Sequence, residues 1–282
     1  MASVTPPPDY EAIRRQIHSE HGKLSKRLQE VAQFALEHPT DMAIATIATL
    51  SERAKVPPSA LIRFAKAFGY SGFSAMQRAF QTRIVEHSAS YKERVRNIHI
   101  DAADESGGVI KPLLGRFIHT NTCSLEELAQ SCDYGLLERA LDSLEAAATV
   151  YIAGQRRSFP VAAYLAYALN HADKQALLLD GVGGMTREHA GNMRAQDLLI
   201  AITYPPYAQE TQTVIDLAVR ADTPVLLITD SALCPAAQHA TLCLTIMDAE
   251  VHSFRSLTAT LCVAQVLATA LAFKNTRKMT GP

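Results

Sequence analysis

Disulfides, metal-binding motifs and membrane-spanning segments have little support in this sequence. Its five cysteines show neither a CxxC spacing nor a pairing with histidines, and this pattern predicts reduced, buried thiols in a cytosolic protein. The most apolar run, Leu257–Phe273, is interrupted by Gln265 and several threonines, so it is too short and too polar for a transmembrane helix. The first ten residues lack a hydrophobic core, and no signal peptide is therefore expected.

Motifs of catalysis, metal binding and nucleotide binding are also missing. The sequence contains no HExxH pattern, no EF-hand loop and no GxGxxG run, so it predicts no metal, no cofactor and no catalytic residue. Glu188, His189 and His252 fall in or near predicted loops and suggest an acid–base pair for an isomerase. Isolated histidines without an active-site motif are more often surface residues, and we expect the same here.

Length and charge indicate two domains with different partners. The chain has 282 residues, more than one compact core usually holds. Residues 1–100 carry 14 lysines and arginines against 9 acidic residues, whereas residues 101–282 carry 13 against 19. A basic amino-terminal part joined to an acidic carboxy-terminal part suits a nucleic-acid-binding domain coupled to a second function. Uneven surface charge without a function explains the charge alone equally well.

The clearest motif is the stretch Val56–Tyr70, which reads VPPSALIRFAKAFGY. Its two prolines suit the start of a helix over 59–68, and Gly69 suits a left-handed end of that helix. The preceding segment, TIATLSERAKV, is amphipathic as well, with Thr46 as its expected N-cap. A short helix, a tight turn and a second helix form the helix-turn-helix arrangement of DNA-binding proteins.

The second of these helices has one apolar and one basic side. At about 100° per residue, the apolar side collects Leu61, Phe64, Ala65 and Phe68. The other side carries Ser59, Arg63 and Lys66 and no acid, so we expect these three residues to contact DNA bases or phosphates. The alternative is a solvated helix face, which is the better explanation for any lone pair of basic residues.

Helical periodicity continues on both sides of this motif. Helices are predicted over 10–21, 24–37 and 73–86, and Pro39 is expected to stop the second of them. We therefore assign residues 1–90 to an all-α helix-turn-helix domain, residues 91–124 to a linker and connecting helix, and residues 125–282 to a second domain. Asp101–Gly108 is the predicted flexible part of the linker, and helical periodicity returns over 110–148.

From Thr149 onwards, short apolar runs alternate with helix-length segments. The five runs are TVYIA, QALLL, DLLIAIT, PVLLIT and TLCLTI. Such runs predict strands that are buried on both faces, and hence a five-stranded parallel sheet in a three-layer α/β sandwich. Right-handed crossovers place the strand-end loops at one edge, where sheets of this kind bind ligands.

Three amino-terminal segments carry a family resemblance: SKRLQEVAQFALEHP, ATIATLSERAKV and SALIRFAKAFGYSGFSAMQ. The last of them matches the signature RFaKxlGfxGF of the RpiR family of bacterial transcription regulators, which the chain resembles over nearly its whole length. Pro57 and Ala60 stand where that family commonly has a serine and a threonine. The resemblance implies double-stranded operator DNA as a partner, a homodimer or homotetramer without a membrane partner, and a cytoplasmic location.

The loop IAGQRRS, which follows the first predicted strand, is similar to the first-strand loop of the SIS (sugar isomerase) domain. The RpiR family uses this domain to sense phosphorylated sugars. Backbone amides and a helix dipole at this position suit an anion. The residues expected to bind an effector are Gly154, Gln155, Arg156, Arg157, Ser158, Thr203 and Tyr204. Alternatively, the two arginines pair with acids across a subunit interface, and the hydroxyls of the last two residues satisfy only local backbone.

Two other loops depart from the SIS pattern. The usual Ser-Gly-x-Thr run is replaced by Pro205-Pro206-Tyr207-Ala208, and Cys234 replaces a usual serine. These changes remove hydroxyl groups and amide donors, because proline has no N–H group. Arginine can replace them through bidentate bonds to a carboxylate or a phosphate, so a sugar acid and a sugar phosphate both fit as the effector.

Our leading hypothesis is a dimeric or tetrameric transcription regulator whose SIS domain binds a small carbohydrate-derived effector and thereby modulates operator binding. A sugar-phosphate isomerase with an accessory helical domain is the alternative, and a regulator whose SIS domain serves only oligomerisation is a third possibility. The helix-turn-helix favours the first and third, and the two loop prolines count against the enzyme. The run Leu257–Phe273 is apolar almost all round, so it is expected to be covered by the sheet, by a second subunit or by both.

Overall fold

The computed structural model describes residues 6–88, 108–251 and 254–279. The chain divides into two compact units, Met1–His99 and Ile100–Pro282. Except for Gly108, the predicted flexible segment 101–108 lies outside the described residues. The predicted border between residues 124 and 125 falls inside a continuous helix, Ile110–Ser131, which belongs to the second unit.

All the secondary-structure elements described in the first unit are helices. The helices are α1 (Tyr10–Glu20), α2 (Lys26–Glu37), α3 (Pro39–Ile44), α4 (Ile47–Ala54), α5 (Pro58–Ala67) and α6 (Phe73–Ser88). The short helix α3 was not expected from the sequence. Its first residue, Pro39, ends α2 and at the same time opens α3, because proline is tolerated in the first turn of a helix.

The predicted packing side of α5 is confirmed. Leu61, Phe64, Ala65 and Phe68 are all fully buried, and the two phenylalanine rings lie 4.8 Å apart. The chain leaves the helix at Gly69 with a φ of 83°, a left-handed conformation that favours glycine. The apolar side of α5 therefore holds the helix in the unit, and its polar side is left outside.

The second unit is an α/β sandwich with a five-stranded parallel sheet, as predicted. Its helices and strands are α7 (Ile110–Ser131), α8 (Tyr134–Ala146), β1 (Val150–Gly154), α9 (Phe159–His171), β2 (Ala176–Leu178), α10 (Thr186–Ala190), β3 (Leu198–Ile202), α11 (Gln209–Arg220), β4 (Val225–Thr229), β5 (Leu242–Thr245), β6 (Glu250–Val251), β7 (Phe254–Arg255) and α12 (Thr258–Met279). The strand order is β2-β1-β3-β4-β5. A short antiparallel pair, β6 and β7, was not predicted.

Two hydrophobic cores lie on opposite faces of this sheet. The first contains residues of α8, α9 and α12, and the second contains residues of α10 and α11. Strands β1, β3 and β4 are buried along their whole length, because helices cover both of their faces. The three layers of the predicted sandwich are therefore present.

Helix α12 contains the apolar run Leu257–Phe273 from Thr258 onwards. Ala259, Val263 and Leu267 are buried in the first core, whereas Val266 and Phe273 remain 50% and 59% exposed. Within the described ranges, we find no helix that combines the length and the hydropathy of a membrane span. The sheet side of α12 is thus covered within the chain, and its other side is still open.

The prediction of buried cysteines is wrong for most of them. Only Cys234 is buried; Cys123 is exposed, and Cys132, Cys243 and Cys262 are half-buried. The apolar neighbours of these cysteines in the sequence do not distinguish an inward from an outward position on a helix. All five thiols are free.

Candidate functional site

The turn between α4 and α5 is fixed by local hydrogen bonds. Thr46 caps α4 as predicted, because its hydroxyl accepts a hydrogen bond of 3.3 Å from the Thr49 amide. At the other end, Lys55 adopts a left-handed φ of 54°, and the Ser51 hydroxyl donates to the Val56 carbonyl. The helix-turn-helix geometry therefore follows from the sequence of this segment itself.

The outward side of α5 is polar and basic. Ser59, Arg63 and Lys66 are all exposed on it. Among the described residues, neither Arg63 nor Lys66 forms an ion pair, so both cations are available to an external anion. The sequence reading missed Ile62, which is 39% exposed on the same helix. Its position four residues before Lys66, one helical turn away, could have revealed it.

Other basic residues of the first unit differ in their availability. The guanidinium of Arg27 lies 2.7 Å from the Glu30 carboxylate, and that of Arg53 lies 2.8 Å from the Asp41 carboxylate. Lys55, at the end of α4, is exposed. Because a carboxylate partly neutralises Arg27 and Arg53, each of them attracts a phosphate less than the unpaired cations of α5 do.

In the second unit, the register of the sheet aligns the ends of the strands whose loops were predicted to bind a ligand. Gly154 lies beside Ile202, and Ile202 lies beside Ile228. The loops that follow β1, β3 and β4 consequently begin side by side at one edge of the sheet, as predicted for a parallel sandwich. We call this region the sheet edge.

The β1 loop, Gly154–Ser158, is packed tightly against α9. A Cβ atom at Gly154 would lie 3.0 Å from the Ala162 Cβ atom and 3.2 Å from the Ser158 carbonyl oxygen. Ser158 is buried at the start of α9. The side-chain amide of Gln155 donates a 3.1 Å hydrogen bond to the Leu179 carbonyl, so it links the β1 loop to the end of β2.

Both arginines of the β1 loop reach toward the β3 loop. The Arg157 guanidinium donates to the Pro205 carbonyl, and Arg156 lies 4.0 Å from the Glu210 carboxylate. Both members of the second pair are about 60% exposed, and an exposed pair of this length is weak. Glu210, the acid nearest to Arg156 here, belongs to the same chain. The alternative prediction from the sequence was that both arginines pair with acids of another subunit.

Thr203 and Tyr204 follow β3, and both are buried. The Thr203 amide donates to the Ile228 carbonyl and so continues the sheet by one residue. The Tyr204 hydroxyl lies 2.6 Å from the hydroxyl of Thr260, which is fully buried, and Thr260 also contacts the Asp248 carboxylate. Burial, followed by the nearby Asp248 charge, raises the pKa of Tyr204. The hydroxyl therefore points into the protein interior.

The sequence reading missed a buried polar cluster beside these residues. Asp230, directly after β4, is 2% exposed, and the Tyr207 hydroxyl donates a 3.1 Å hydrogen bond to it. The guanidinium of Arg255 lies 3.7 Å from the carboxylates of both Asp230 and Glu250, and its carbon lies 5.6 Å from the centre of the Tyr204 ring. The position of Asp230 after a buried strand was a usable signal, but Arg255 is brought in by the unpredicted strand β7.

Two further sequence features are structural. Cys234 is buried, and burial raises the pKa of its thiol, so it is not activated as a nucleophile. Glu188 and His189 lie on the short helix α10, where loops were predicted. This helix follows the glycine-rich turn Val182–Gly184.

An apolar groove of about 470 Å³ runs between α7, α8 and α12. Its lining includes Leu125, Leu128, Leu137, Leu141, Val266 and Leu267. The side of α12 that the sheet leaves uncovered forms one of its walls. This groove is separate from the loops of the sheet edge.

Comparisons with known proteins agree with this division of the chain. The sequence profile of helix-turn-helix domains of the rpiR family matches residues 12–86, and that of the SIS domain matches residues 143–270. The HTH-type transcriptional regulator HexR of Pseudomonas aeruginosa is 28% identical over 271 residues, which are 93% of this chain and 90% of the relative.

Two solved structures share the fold. The NanR protein of Vibrio vulnificus, solved in complex with ManNAc-6P, has a TM-score of 0.56 and 21% identity, and the match covers 93% of this chain and 92% of NanR. A protein of Listeria monocytogenes described as a putative sugar-phosphate isomerase has a TM-score of 0.51 and 15% identity, with 61% and 94% covered. The likeness to both structures shows the fold of the chain.

Proposed function

We propose that this chain, which belongs to the RpiR family of helix-turn-helix transcriptional regulators with a carboxy-terminal SIS domain, binds a two-fold symmetric operator through Ser59, Arg63 and Lys66. The observation that carries the proposal is the exposed, acid-free face of α5. Helix-turn-helix proteins insert the second helix of the motif into the major groove, and its side chains contact base edges and phosphates.

The operator contact is tested with full-length protein and a random pool of DNA duplexes. We expect enrichment of a two-fold symmetric sequence whose half-sites lie about 34–36 Å apart, or a multiple of that distance. Arg63→Ala should weaken binding to the enriched duplex by about 1–3 kcal/mol, which is the usual value of a base contact. Arg27→Ala is the matched control, because Arg27 is already paired with Glu30. Equal affinities of Arg63→Ala and wild type would refute this assignment.

The effector is proposed to bind at the sheet edge through Gly154–Ser158 and Thr203. Two arginines stand at the β1 loop, whereas Asp230, after β4, and Glu250, on β6, flank Arg255. An effector with an anionic end and a hydroxyl-rich end would suit this division of charge, with the anion at the β1 loop. Sugar phosphates and sugar acids share that polarity. NanR was solved with a sugar phosphate, which supports the choice of compounds for a screen.

A thermal-shift screen of both compound classes against full-length protein tests this site. A bound effector stabilises the fold by RT ln(1 + [L]/Kd), about 2.7 kcal/mol at a hundredfold excess over Kd. Arg156→Ala and Ser158→Ala should each reduce the shift, whereas Arg220→Ala, at the far end of α11, should leave it unchanged. A shift that survives the first two substitutions would locate the effector elsewhere. No shift with any compound would favour an SIS domain used only for oligomerisation.

We do not expect aldose–ketose isomerisation, although enzymes share this fold. Such a reaction needs an acid–base pair positioned at the substrate. The candidates from the sequence, Glu188 and His189, share α10 rather than the loops after β1, β3 or β4. Turnover of a pentose or hexose phosphate that is lost in Glu188→Gln or His189→Ala would contradict this expectation.

Self-association is proposed to use the apolar groove between α7, α8 and α12. Val266 is half exposed there, and a second copy of the same groove would bury it. In sedimentation velocity, we expect full-length wild type to sediment as a dimer or tetramer. The Val266→Arg variant should sediment as a smaller assembly. Val219→Arg is the control, because Val219 is similarly exposed on α11. A wild-type monomer at micromolar concentration, or an assembly unaffected by Val266→Arg, would exclude the groove.

A further inference from the structure

The outward side of α5 contains one apolar group that the packing of the unit does not use. Ile62 is 39% exposed, whereas Leu61 and Phe64, its apolar neighbours on the helix, are fully buried. In the first unit, among residues 6–82 whose side chains are described, only Ile44 and Ile62 are exposed large apolar residues. Ile44 ends α3, so Ile62 is the one that α5 presents.

Ile62 shares its side of the helix with the basic residues. At about 100° per residue, its direction lies about 40° from that of Lys66 and about 60° from that of Ser59. Arg63 is its direct neighbour in the sequence, and the face carries no acid. Because the two cations Arg63 and Lys66 lie beside Ile62, a polyanion fits this side better than an apolar protein surface.

We propose that Ile62 contacts the 5-methyl group of a pyrimidine in the major groove. This inference rests on the proposed docking of α5 in DNA. The major groove presents one apolar group, the methyl of thymine, and side chains with methyl groups recognise it by contact. A β-branched side chain has few χ1 rotamers, so little conformational entropy is lost when Ile62 makes this contact. At this base pair of the operator, the protein then distinguishes a pyrimidine with a 5-methyl group from one without it.

Replacing thymine with uracil removes only that methyl group, and this gives a direct test. The duplex enriched by full-length protein is prepared with uracil in place of each thymine in turn, symmetrically in both half-sites. At the position that Ile62 contacts, we expect each lost methyl group to lower the affinity of wild type about fourfold. This corresponds to about 0.8 kcal/mol, the value of one buried methylene-sized group. With both half-sites changed, the loss is about 15-fold.

The variants identify the side chain that reads the methyl. Ile62→Ala should bind the thymine and uracil duplexes equally well, Ile62→Val should keep most of the preference, and Ile44→Ala should keep all of it. Circular dichroism checks that each variant is folded. A further set of duplexes carries 5-methylcytosine at cytosine positions; a gain in affinity there, without any uracil effect, would assign the contact to methylated cytosine.

The outcomes separate this inference from the proposed function. Failure to enrich any duplex would overturn operator binding itself. Enrichment with binding that depends on Arg63 but not on any pyrimidine methyl would overturn the role of Ile62 alone. A uracil effect of equal size in wild type and Ile62→Ala would also overturn it, because another group would then contact the methyl. Loss of self-association in Ile62→Ala, with an unchanged uracil effect, would assign Ile62 to a protein interface.

Discussion

Replacing Gly154 with alanine tests whether the β1 loop is shaped by its close contact with α9. The new methyl carbon would lie 3.0 Å from the Ala162 Cβ atom, 3.2 Å from the Ser158 carbonyl oxygen and 3.3 Å from the Ser158 Cβ atom. Carbon atoms in favourable contact are about 3.5–4.0 Å apart. Relief of these contacts requires movement of either α9 or the loop backbone, and neither is the end of a flexible side chain.

Two opposing effects determine the size of the change. Overpacking of a well-packed core usually costs about 1–3 kcal/mol. Replacing glycine with alanine also restricts the unfolded chain, which stabilises the fold by about 0.4–1 kcal/mol. We therefore expect Gly154→Ala to lower the free energy of unfolding of the second unit by about 1–2 kcal/mol. It should also reduce the effector-induced thermal shift, because Ser158 and the arginines belong to the displaced loop.

Gly115→Ala provides a control of opposite sign. Gly115 lies inside α7, and no atom would lie within 4 Å of its new methyl group. Alanine favours a helix interior over glycine by about 0.5–1 kcal/mol, so this variant should be more stable than wild type.

Urea unfolding of the full-length variants measures both effects. The chain has no tryptophan, so far-ultraviolet circular dichroism is the suitable probe. Because the chain has two units, their transitions are fitted separately, and the transition of the first unit serves as an internal reference. If Gly154→Ala unfolds at the same urea concentration as wild type, or at a higher one, the tight packing at the β1 loop is refuted.

Two further predictions concern the interior and the surface of the second unit. Tyr204→Phe should destabilise the protein by about 1 kcal/mol in thermal or urea unfolding, because the Thr260 hydroxyl loses a buried partner; an unchanged midpoint would contradict that bond. Hydrogen bonds from two lysines of α12 lower the pKa of Glu145 from its ordinary value of 4.5 to about 2. Since the folded pKa is depressed, the stabilisation is present above about pH 4.5 and is lost as the pH falls toward 2. Glu145→Gln should therefore lose less stability than wild type between these pH values. If the free energy of unfolding of both proteins fell in parallel with pH, the pairing of Glu145 with the two lysines would be refuted.

The sequence was most informative where the local pattern and the tertiary structure agree. In helix α5, the amphipathic pattern, the prolines at the start and the glycine after the end all occur within one segment. Both the helix and its exposed side were therefore predictable from the sequence. Strands β1, β3 and β4 were predictable for the same reason, because burial on both faces leaves an uninterrupted apolar run. Helix α3 was missed, since a proline that ends one helix can also begin another.

The sheet edge was predictable only as a location. Its loops follow from the order of the strands, but the partner of each side chain is chosen by residues that are distant in the sequence. Thr260 engages Tyr204 from α12, and Arg255 reaches Asp230 from β7, which no periodicity indicated. Side-chain direction in such a loop depends on contacts that form only after the domain is assembled.

The protonation of the sheet edge bears on the difference between a regulator and an isomerase with the same sandwich. An acid–base catalyst needs a group whose pKa lies near the working pH and which can reach the substrate. Burial raises the pKa values of Tyr204 and Cys234, so both groups remain protonated at neutral pH, and the Tyr204 hydroxyl is held by Thr260. Arg255 lies between two carboxylates, an arrangement that holds charge rather than transferring protons. Tyr204, Cys234 and Arg255 therefore supply no acid–base pair for an isomerase, which agrees with the proposed regulator.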